Sequence, residues 1–364
     1  MNGSLTIEQL NSEEVGRLGP LLVFLGMVVF TGIPGNITVC VVYWAKSKQS
    51  GSRFFIWWLA VIDTVSCFLI CLEFVNVVNQ FTYTNTWLCK FTIFLTIWPV
   101  ITSAFALCLI SYDRFQRVCK HNQEQISQQK AKCMCLVTVA VALAFSWPAL
   151  ILFGTYIEEI SDQNLTSSTC TIQNEYQGTT YALLYNGFLW ILFFIVLFVL
   201  IVCYIIIGKK IYKQMGLRPS RVSNSDEPKG LDPVSRDDVS TNTSLTVQNV
   251  FRENTISRNM STLSKRSTIR GQARARKSAF MMFLISVVFV VSFLPYLILR
   301  MIGAFDATFV QSMSDTGRAF YKSFLRTYFL NCAINPFIYC ACATTFRQEV
   351  RAHFRRIVSR FRWT

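Results

Sequence analysis

Phe91-Thr-Ile-Phe-Leu-Thr-Ile-Trp-Pro-Val-Ile-Thr-Ser-Ala-Phe-Ala-Leu-Cys-Leu-Ile-Ser-Tyr112 runs for 22 residues between Lys90 and Asp113 without one charged side chain. A helix crossing about 30 Å of hydrocarbon needs roughly 20 such residues, and a helix satisfies its own backbone where no water can. An apolar helix in a soluble core rarely runs past about 14. Length and backbone satisfaction, rather than periodicity, therefore make this stretch a membrane span.

The pattern recurs on both sides of it. Leu18–Ala45, Cys133–Ile157, Thr179–Gly208, Ser278–Leu299 and Thr327–Phe346 are also free of charge, and Phe54–Asn79 is interrupted only by Asp63 and Glu73. Seven segments predict an all-α membrane protein, a seven-transmembrane helix bundle. Composition agrees: of 364 residues 52% are hydrophobic and 15% charged, where a soluble chain carries about 25% charged. With 31 Phe and 8 Trp beside so few charges, the surplus of +15 does not mark a soluble nucleic-acid binder. Thirteen cysteines in so long a chain do not make a secreted disulfide scaffold.

The basic residues report topology instead. With the N-terminus outside, the inner segments 46–53, 116–132, 209–277 and 343–364 hold 28 of the 35 Lys and Arg, and the outer segments five. That asymmetry sets the orientation as N-terminus out and C-terminus in. The division is then an extracellular N-terminus (1–17), a seven-span membrane domain (18–342) and a cytoplasmic tail (343–364). Residues 1–17 lack the basic start and apolar stretch of a cleaved signal peptide, so the first span is expected to insert itself. Asn2 and Asn164 head Asn-x-Ser/Thr triplets on the outer side and are candidate glycan acceptors.

Two inner segments differ in character. Residues 216–270 hold 16 Ser/Thr, three prolines and almost no aromatics, a composition expected to be disordered. Hydroxyls beside basic residues there suit either a phosphorylation-controlled docking segment or a solvated spacer. In the tail, Phe346, Val350, Phe354, Ile357, Val358 and Phe361 recur at three- and four-residue spacing with arginines between them. This predicts an amphipathic helix lying on anionic membrane lipid.

Polar residues inside spans are costly, so each marks a functional candidate. In chain order they are Asn36, Asp63 in Leu-Ala-Val-Ile-Asp, Asp113-Arg114-Phe115, Trp147-Pro148, Pro295 in Ser-Phe-Leu-Pro-Tyr, and Asn331-Cys-Ala-Ile-Asn335-Pro336-Phe-Ile-Tyr339. Together, one group to a segment, they resemble the rhodopsin-family (class A) G-protein-coupled receptors over residues 20–358. The resemblance implies a seven-helix bundle with a short eighth helix along the membrane, sited at the plasma membrane. The implied activity is ligand-driven nucleotide exchange on a heterotrimeric G protein, with kinases and arrestin as partners at the third inner loop.

Residue by residue, the resemblance makes Arg114 the arginine that engages the G protein, with Asp113 its resting partner. Tyr204 and Tyr339 become the tyrosines that turn inward on activation, beside Asn335 and Pro336 of the Asn-Pro-x-x-Tyr motif. Departures are Phe115 for tyrosine, Val196 for proline, Phe293 for tryptophan at the toggle position before Pro295, and Ala275 for the acid that often locks the arginine. An ionic lock to the sixth span is therefore not expected. Cys89 and Cys170 face the oxidising outer side, where a disulfide could pin the outer loop to the third span. The family also implies a sodium ion at Asp63, Ser103, Asn331 and Asn335. A carboxylate with three neutral oxygens suits a hard cation; an Asp63 held by hydrogen bonds and water alone is the other reading.

Thr96 stands seven residues past Cys89, where amine receptors carry aspartate, which argues against a monoamine. Residues 323–342 contain no lysine for a retinal Schiff base. Glu73 lies ten residues after Asp63, about 15 Å along a helix, and Arg326 ten residues before Pro336, so the two should share a level. They are either charged anchors for a ligand or a permanent ion pair. Arg300, Lys322 and an acidic outer loop around Glu158, Glu159, Asp162 and Glu175 give the mouth mixed charge, which suits a peptide better than a lipid and resembles the neuropeptide-receptor branches; a receptor for a non-peptide small molecule or a lipid is the alternative. Among rival classes, a transporter would show internal repeats, and none is visible. An enzyme would need a nucleophile–base or metal spacing that His121 and His353, both on inner segments, do not provide.

Overall fold

The computed structural model describes residues 6–48, 50–120, 124–160, 165–216, 273, 275–302, 309 and 312–361. The glycan acceptors Asn2 and Asn164, the phosphorylation segment beyond Gly216, Asp162 and His121 lie outside the described residues. In chain order come α1 (Ile7–Arg17), α2 (Gly19–Ser47), α3 (Gly51–Val78), α4 (Thr86–Cys119), α5 (Gln128–Ser146) and the short α6 (Ala149–Leu152). A hairpin of β1 (Phe153–Ile160) and β2 (Leu165–Ile172) follows, then α7 (Thr180–Gly216) and α8 (Ala275–Ile302). The chain closes with α9 (Asp315–Phe324), a 3-10 turn (Thr327–Phe329), α10 (Leu330–Cys342) and α11 (Thr344–Phe361).

Six helices among the described residues are long and apolar enough to cross a membrane: α2, α3, α4, α5 continued by α6, α7 and α8. A seventh is reached only when Asp315–Cys342, made of α9 and α10 with the 3-10 turn between them, is taken together with Thr344–His353 of α11, which lies at 99° to it. The charge-free stretch Thr327–Phe346 thus covers only part of the seventh helical segment. Its first half carries Asp315, Arg318 and Lys322, placed by sequence on an outer loop, and all three are bonded to neighbouring side chains. The bend at Ala343 is held from two sides. Arg347 Nη1 donates to the carbonyls of Cys340 and Ala341, both at 2.7 Å, which satisfies acceptors orphaned at a helix end. Phe346, 2% exposed, packs beside Tyr43 and Tyr339.

Two further elements were not expected from sequence. Residues 7–17 fold as α1, opened by a capping box: Gln9 N donates to Thr6 Oγ1, and Thr6 N donates to Gln9 Oε1. Strands β1 and β2 pair antiparallel, Phe153 opposite Ile172 and Ile160 opposite Leu165. Backbone bonds from Tyr83 N to Ser168 O and from Ser168 N to Phe81 O tie β2 to the turn between α3 and α4.

Close approach of α2 to its neighbours depends on two glycines. A Cβ on Gly32 would collide with Cys67 Sγ of α3, and one on Gly35 would meet Pro336 Cγ of α10 at 2.9 Å. One turn on, the buried Asn36 Nδ2 donates to Gly32 O at 3.0 Å and across to Cys332 O at 2.7 Å. The main core runs along the bundle axis from Phe54 and Leu59 through Leu107 and Ile110 to Met282 and Phe289. Side chains such as Phe30, Trp87, Phe198 and Val291 are exposed around the outside, which is where a bilayer would cover them.

Candidate functional site

The functional candidates fall at three levels of the bundle. At one end, Cys89 at the start of α4 is disulfide-bonded to Cys170 of β2, which holds the hairpin over the helix ends. Beneath it lies a network of ions. Arg326 Nε donates to Glu73 Oε1 at 2.7 Å, Asn76 Nδ2 to Glu73 Oε2 at 3.0 Å, and Arg326 Nη1 to Lys322 O at 3.0 Å. Lys322 Nζ donates to Glu14 Oε1 at 2.6 Å and to Gln80 Oε1 at 2.9 Å, so α1 is joined to α9 and to the end of α3. Arg17 reaches Asp315 at 3.0 Å, and Asn11 accepts from Phe81 N while donating to Val78 O. Glu73 and Arg326 therefore do share a level, and they are paired. Arg300 stands apart from them, on α8, donating to Asn186 Oδ1 of α7 at 3.4 Å.

Thr96 lies below this network, in the wall of a chamber of about 120 Å3 with almost wholly apolar surroundings. Val100 and Ala104 of α4, Phe193 of α7, Phe289 and Phe293 of α8, and Tyr328 enclose it. The rings form a ladder: Phe293 lies 4.7 Å from Phe289, 5.6 Å from Tyr328 and 6.2 Å from Phe193 between centroids. With Phe293 in place of an indole, no N–H enters the ladder, so its contacts are dispersive. Pro295 lies on the outer side of α8, facing a groove shared with α9.

The middle level centres on Asp63, which is fully buried. Ser103 Oγ donates to Asp63 Oδ1 at 3.1 Å and Asn335 Nδ2 to Asp63 Oδ2 at 2.6 Å. Asn331 and Asn335 each keep a buried Oδ1 with no partner. A cavity of about 20 Å3 is lined by Asp63, Ser103 and Asn331, room for one water-sized occupant. Asp63, Ser103 and the unpartnered Asn331 Oδ1 are oxygen donors of the kind a small hard cation takes, so these three fit such an ion, whereas Asn335, whose Nδ2 is bonded to Asp63, does not line the cavity. Thr96, Val100, Phe293 and Tyr328 line this cavity and the apolar chamber alike, making a wall common to both.

At the far end, Arg114 Nη2 donates to Asp113 Oδ2 at 2.7 Å, and Ser52 of α3 bonds to both residues. Arg117 Nε lies 3.3 Å from the same carboxylate oxygen, and its Nη2 donates to Ser50 Oγ at 3.2 Å. Arg114 Nη1 reaches across to Ser278 Oγ of α8 at 2.7 Å. The acid absent at Ala275 is thus replaced by a neutral hydroxyl three residues further on. Sequence reasoning missed Ser52 and Ser278, since a serine in an apolar run carries no sign of which helix it will face. Tyr204 Oη accepts from Ser286 Oγ at 3.3 Å, while the buried Tyr339 Oη has no partner and its ring lies near Tyr43 and Phe346.

The profile described as "7 transmembrane receptor (rhodopsin family)" matches residues 35–339. The chain is 25% identical over 375 residues to the 5-hydroxytryptamine receptor 2B of Dichotomyctere fluviatilis, covering 92% of this chain and 76% of the other. It is 23% identical over 350 residues to the human cholecystokinin receptor type A (92% and 80% covered) and 22% over 354 residues to the human neuropeptide S receptor (92% and 83%). Squid rhodopsin superposes with a TM-score of 0.67 at 16% identity, covering 94% of this chain and 87% of that one, a likeness of fold.

Proposed function

We propose, from the premise that the chain belongs to the rhodopsin (class A) family of seven-transmembrane receptors, that it binds an extracellular peptide and drives nucleotide exchange on a heterotrimeric G protein. As a family member it is a multi-pass membrane receptor and not an enzyme. In this reading it sits in the plasma membrane with the disulfide end outside and the Arg114 end in the cytoplasm, an orientation supported by the distribution of Lys and Arg.

The observation that carries the coupling reading is the bond from Arg114 to Ser278 across α4 and α8. A single neutral acceptor on α8 is a contact that outward movement of that helix would break. Arg114 would then be freed to meet the G protein, and Tyr204 and Tyr339, one weakly bonded and one unbonded, could turn toward it. Sodium suits the Asp63 cavity, where an ion would hold α3, α4 and α10 together through Asp63, Ser103 and Asn331. The wall shared with the apolar chamber offers the route by which ligand and ion exclude one another.

The peptide reading is supported by the mixed charge of the disulfide end, where Glu73, Arg326, Lys322 and Arg300 lie within a few turns of one another. Two of the relatives are named as receptors for cholecystokinin and neuropeptide S. A second reading is favoured by the apolar chamber at Thr96: a small uncharged ligand filling about 120 Å3. A peptide library screened on cells expressing the chain, read out by calcium and cyclic AMP, separates the two. Any agonist found should lose G-protein signalling in the Arg114→Ala variant while still binding. If Arg114→Ala signals at wild-type level, the coupling assignment fails.

A further inference from the structure

Of the thirteen cysteines, two are spent on the bond from Cys89 to Cys170 and eleven remain as thiols. Among these, one pair has its sulfurs in contact. Cys67 of α3 donates from Sγ to Cys332 Sγ of α10 at 3.4 Å, across 265 residues of sequence. Cys332 Sγ in turn donates to Phe329 O at 2.9 Å. Neither residue is among the groups assigned to coupling or to the ion.

Both sulfurs are held where they stand. Gly32 of α2 lies behind Cys67, so close that a Cβ there would collide with the sulfur, and the thiol is confined on that side. The backbone of Cys332 is fixed by Asn36 Nδ2, which donates to its carbonyl at 2.7 Å. A disulfide bond is about 2.05 Å long, so closing one here asks the sulfurs to approach by about 1.4 Å. Two side chains already ordered against each other lose little further entropy on joining.

Access decides which reagent can act on them. Both residues are buried, beyond the reach of a large charged thiol such as glutathione. Cys332 lines the water-sized cavity beside Asp63, which admits a small neutral molecule. A thiol in apolar surroundings reacts slowly, but a second sulfur already in contact captures the first product before another reagent can. The geometry points to Cys67 and Cys332 as an oxidative modification site, at which a small hydroperoxide such as hydrogen peroxide closes a disulfide between α3 and α10. One thiol takes an oxygen from the peroxide to become a sulfenic acid, and one water leaves. The other sulfur then displaces that hydroxyl, forming the S–S bond and releasing a second water. The two thiols together lose two hydrogens and two electrons, and the peroxide gains them. The bond ties α3 to α10 in the wall of the Asp63 cavity, next to Asn331. It needs neither a ligand nor a G protein.

The test treats the purified, folded full chain in detergent with graded hydrogen peroxide, removes the excess with catalase, and unfolds the protein in N-ethylmaleimide. Digestion without reduction and mass spectrometry then map every cysteine. The expected result is a peptide pair joined through Cys67 and Cys332, lighter by two hydrogens than the free peptides and accumulating to most of the chain. The thermal unfolding midpoint should rise by several degrees as the link forms, because it closes a long loop of the unfolded chain. Cys67→Ala should form no such link and lose the rise on peroxide treatment. If that variant misfolds, the wild-type peptide map decides by itself. Recovery of both cysteines as maleimide adducts, at peroxide levels that oxidise the exposed Cys71 and Cys340, would overturn the site. So would their recovery as separate sulfinic or sulfonic acids, or a midpoint that fails to rise in the linked protein.

Discussion

The two ends of the bundle hold their charges in opposite ways. At the disulfide end, carboxylate meets cation across elements: Glu73 with Arg326, Glu14 with Lys322, Asp315 with Arg17. At the Arg114 end one carboxylate serves two arginines, and the bond that reaches α8 ends on the hydroxyl of Ser278. Separating an ion pair inside a protein strands a charge, which is far costlier than losing one bond to a hydroxyl. The disulfide end is thus built to stay assembled, and the Arg114 end to come apart at a modest cost.

The largest effect should follow from stranding Glu73. With its side chain 8% exposed and Arg326 removed, Arg326→Met leaves a buried carboxylate with Asn76 as its remaining bond. A loss of about 3–5 kcal/mol is expected, read as a drop in the thermal unfolding midpoint of the ligand-free protein in detergent. Glu73→Gln combined with Arg326→Met should recover most of it, because no charge then remains buried. A single variant costing under about 1 kcal/mol would place Glu73 in contact with water and dissolve the contrast between the ends.

Glu73 and Arg326 were legible because both sit a fixed number of residues from polar markers at one depth, and helical rise did the rest. The seven spans were legible because hydrocarbon permits few ways to satisfy a backbone, and the Asp63, Ser103 and Asn335 contacts because the motif residues stand at fixed positions. Glu14, Gln80 and Asp315 were not, because they lie on α1, a turn and α9, where charge density conceals a helix from any search for apolar length. α9 reads as a loop for the same reason, though Ser314 caps it by accepting from Gly317 N at 3.2 Å. Ser278 was not legible because it carries no charge. A neutral acceptor can do a similar job more weakly, and nothing in a run of apolar residues says which serine does it.

That weaker bond gives the second effect. Ser278→Ala removes an acceptor from a buried guanidinium, worth about 1.5–3 kcal/mol when one partner is charged. Since the bond links α4 to α8 only while the Arg114 end is closed, the loss should appear as agonist-free nucleotide exchange raised about tenfold in membranes carrying a G protein. Ser278→Glu should act in the other direction and lower basal exchange, by supplying the ionic partner that Ala275 does not. Unchanged basal exchange in both variants would mean that Arg114 is held by Asp113 and Ser52 alone.

The third effect concerns how firmly α1 is folded onto the disulfide end. Thr6→Ala deletes the hydroxyl of the capping box and should cost about 1 kcal/mol of local helix stability. Hydrogen exchange at residues 7–17 is the sensitive measure, since α1 can fray without the bundle unfolding. Faster exchange there with an unchanged global midpoint is expected. A global midpoint that falls with it would make α1 part of the cooperative core.

The smallest effect separates the buried from the exposed part of the network. Arg17 touches Asp315 at 3.0 Å, Glu14 at 3.6 Å and Glu13 at 3.7 Å, more contacts than Arg326 makes with carboxylates. Counting pairs would rank it first. Yet Arg17 is 40% exposed and Asp315 48%, so water and salt already screen the attraction. Glu14, the buried member, keeps Lys322 when Arg17 is gone. Arg17→Ala should therefore change the unfolding midpoint by the equivalent of about 0.5 kcal/mol or less, and by less still at high salt. A loss approaching that of Arg326→Met would mean that the surface lattice, and not the buried Glu73–Arg326 pair, holds α1 and α9 in place. The stiffness of the disulfide end would then be adjustable by ionic strength in a way the Arg114 end is not.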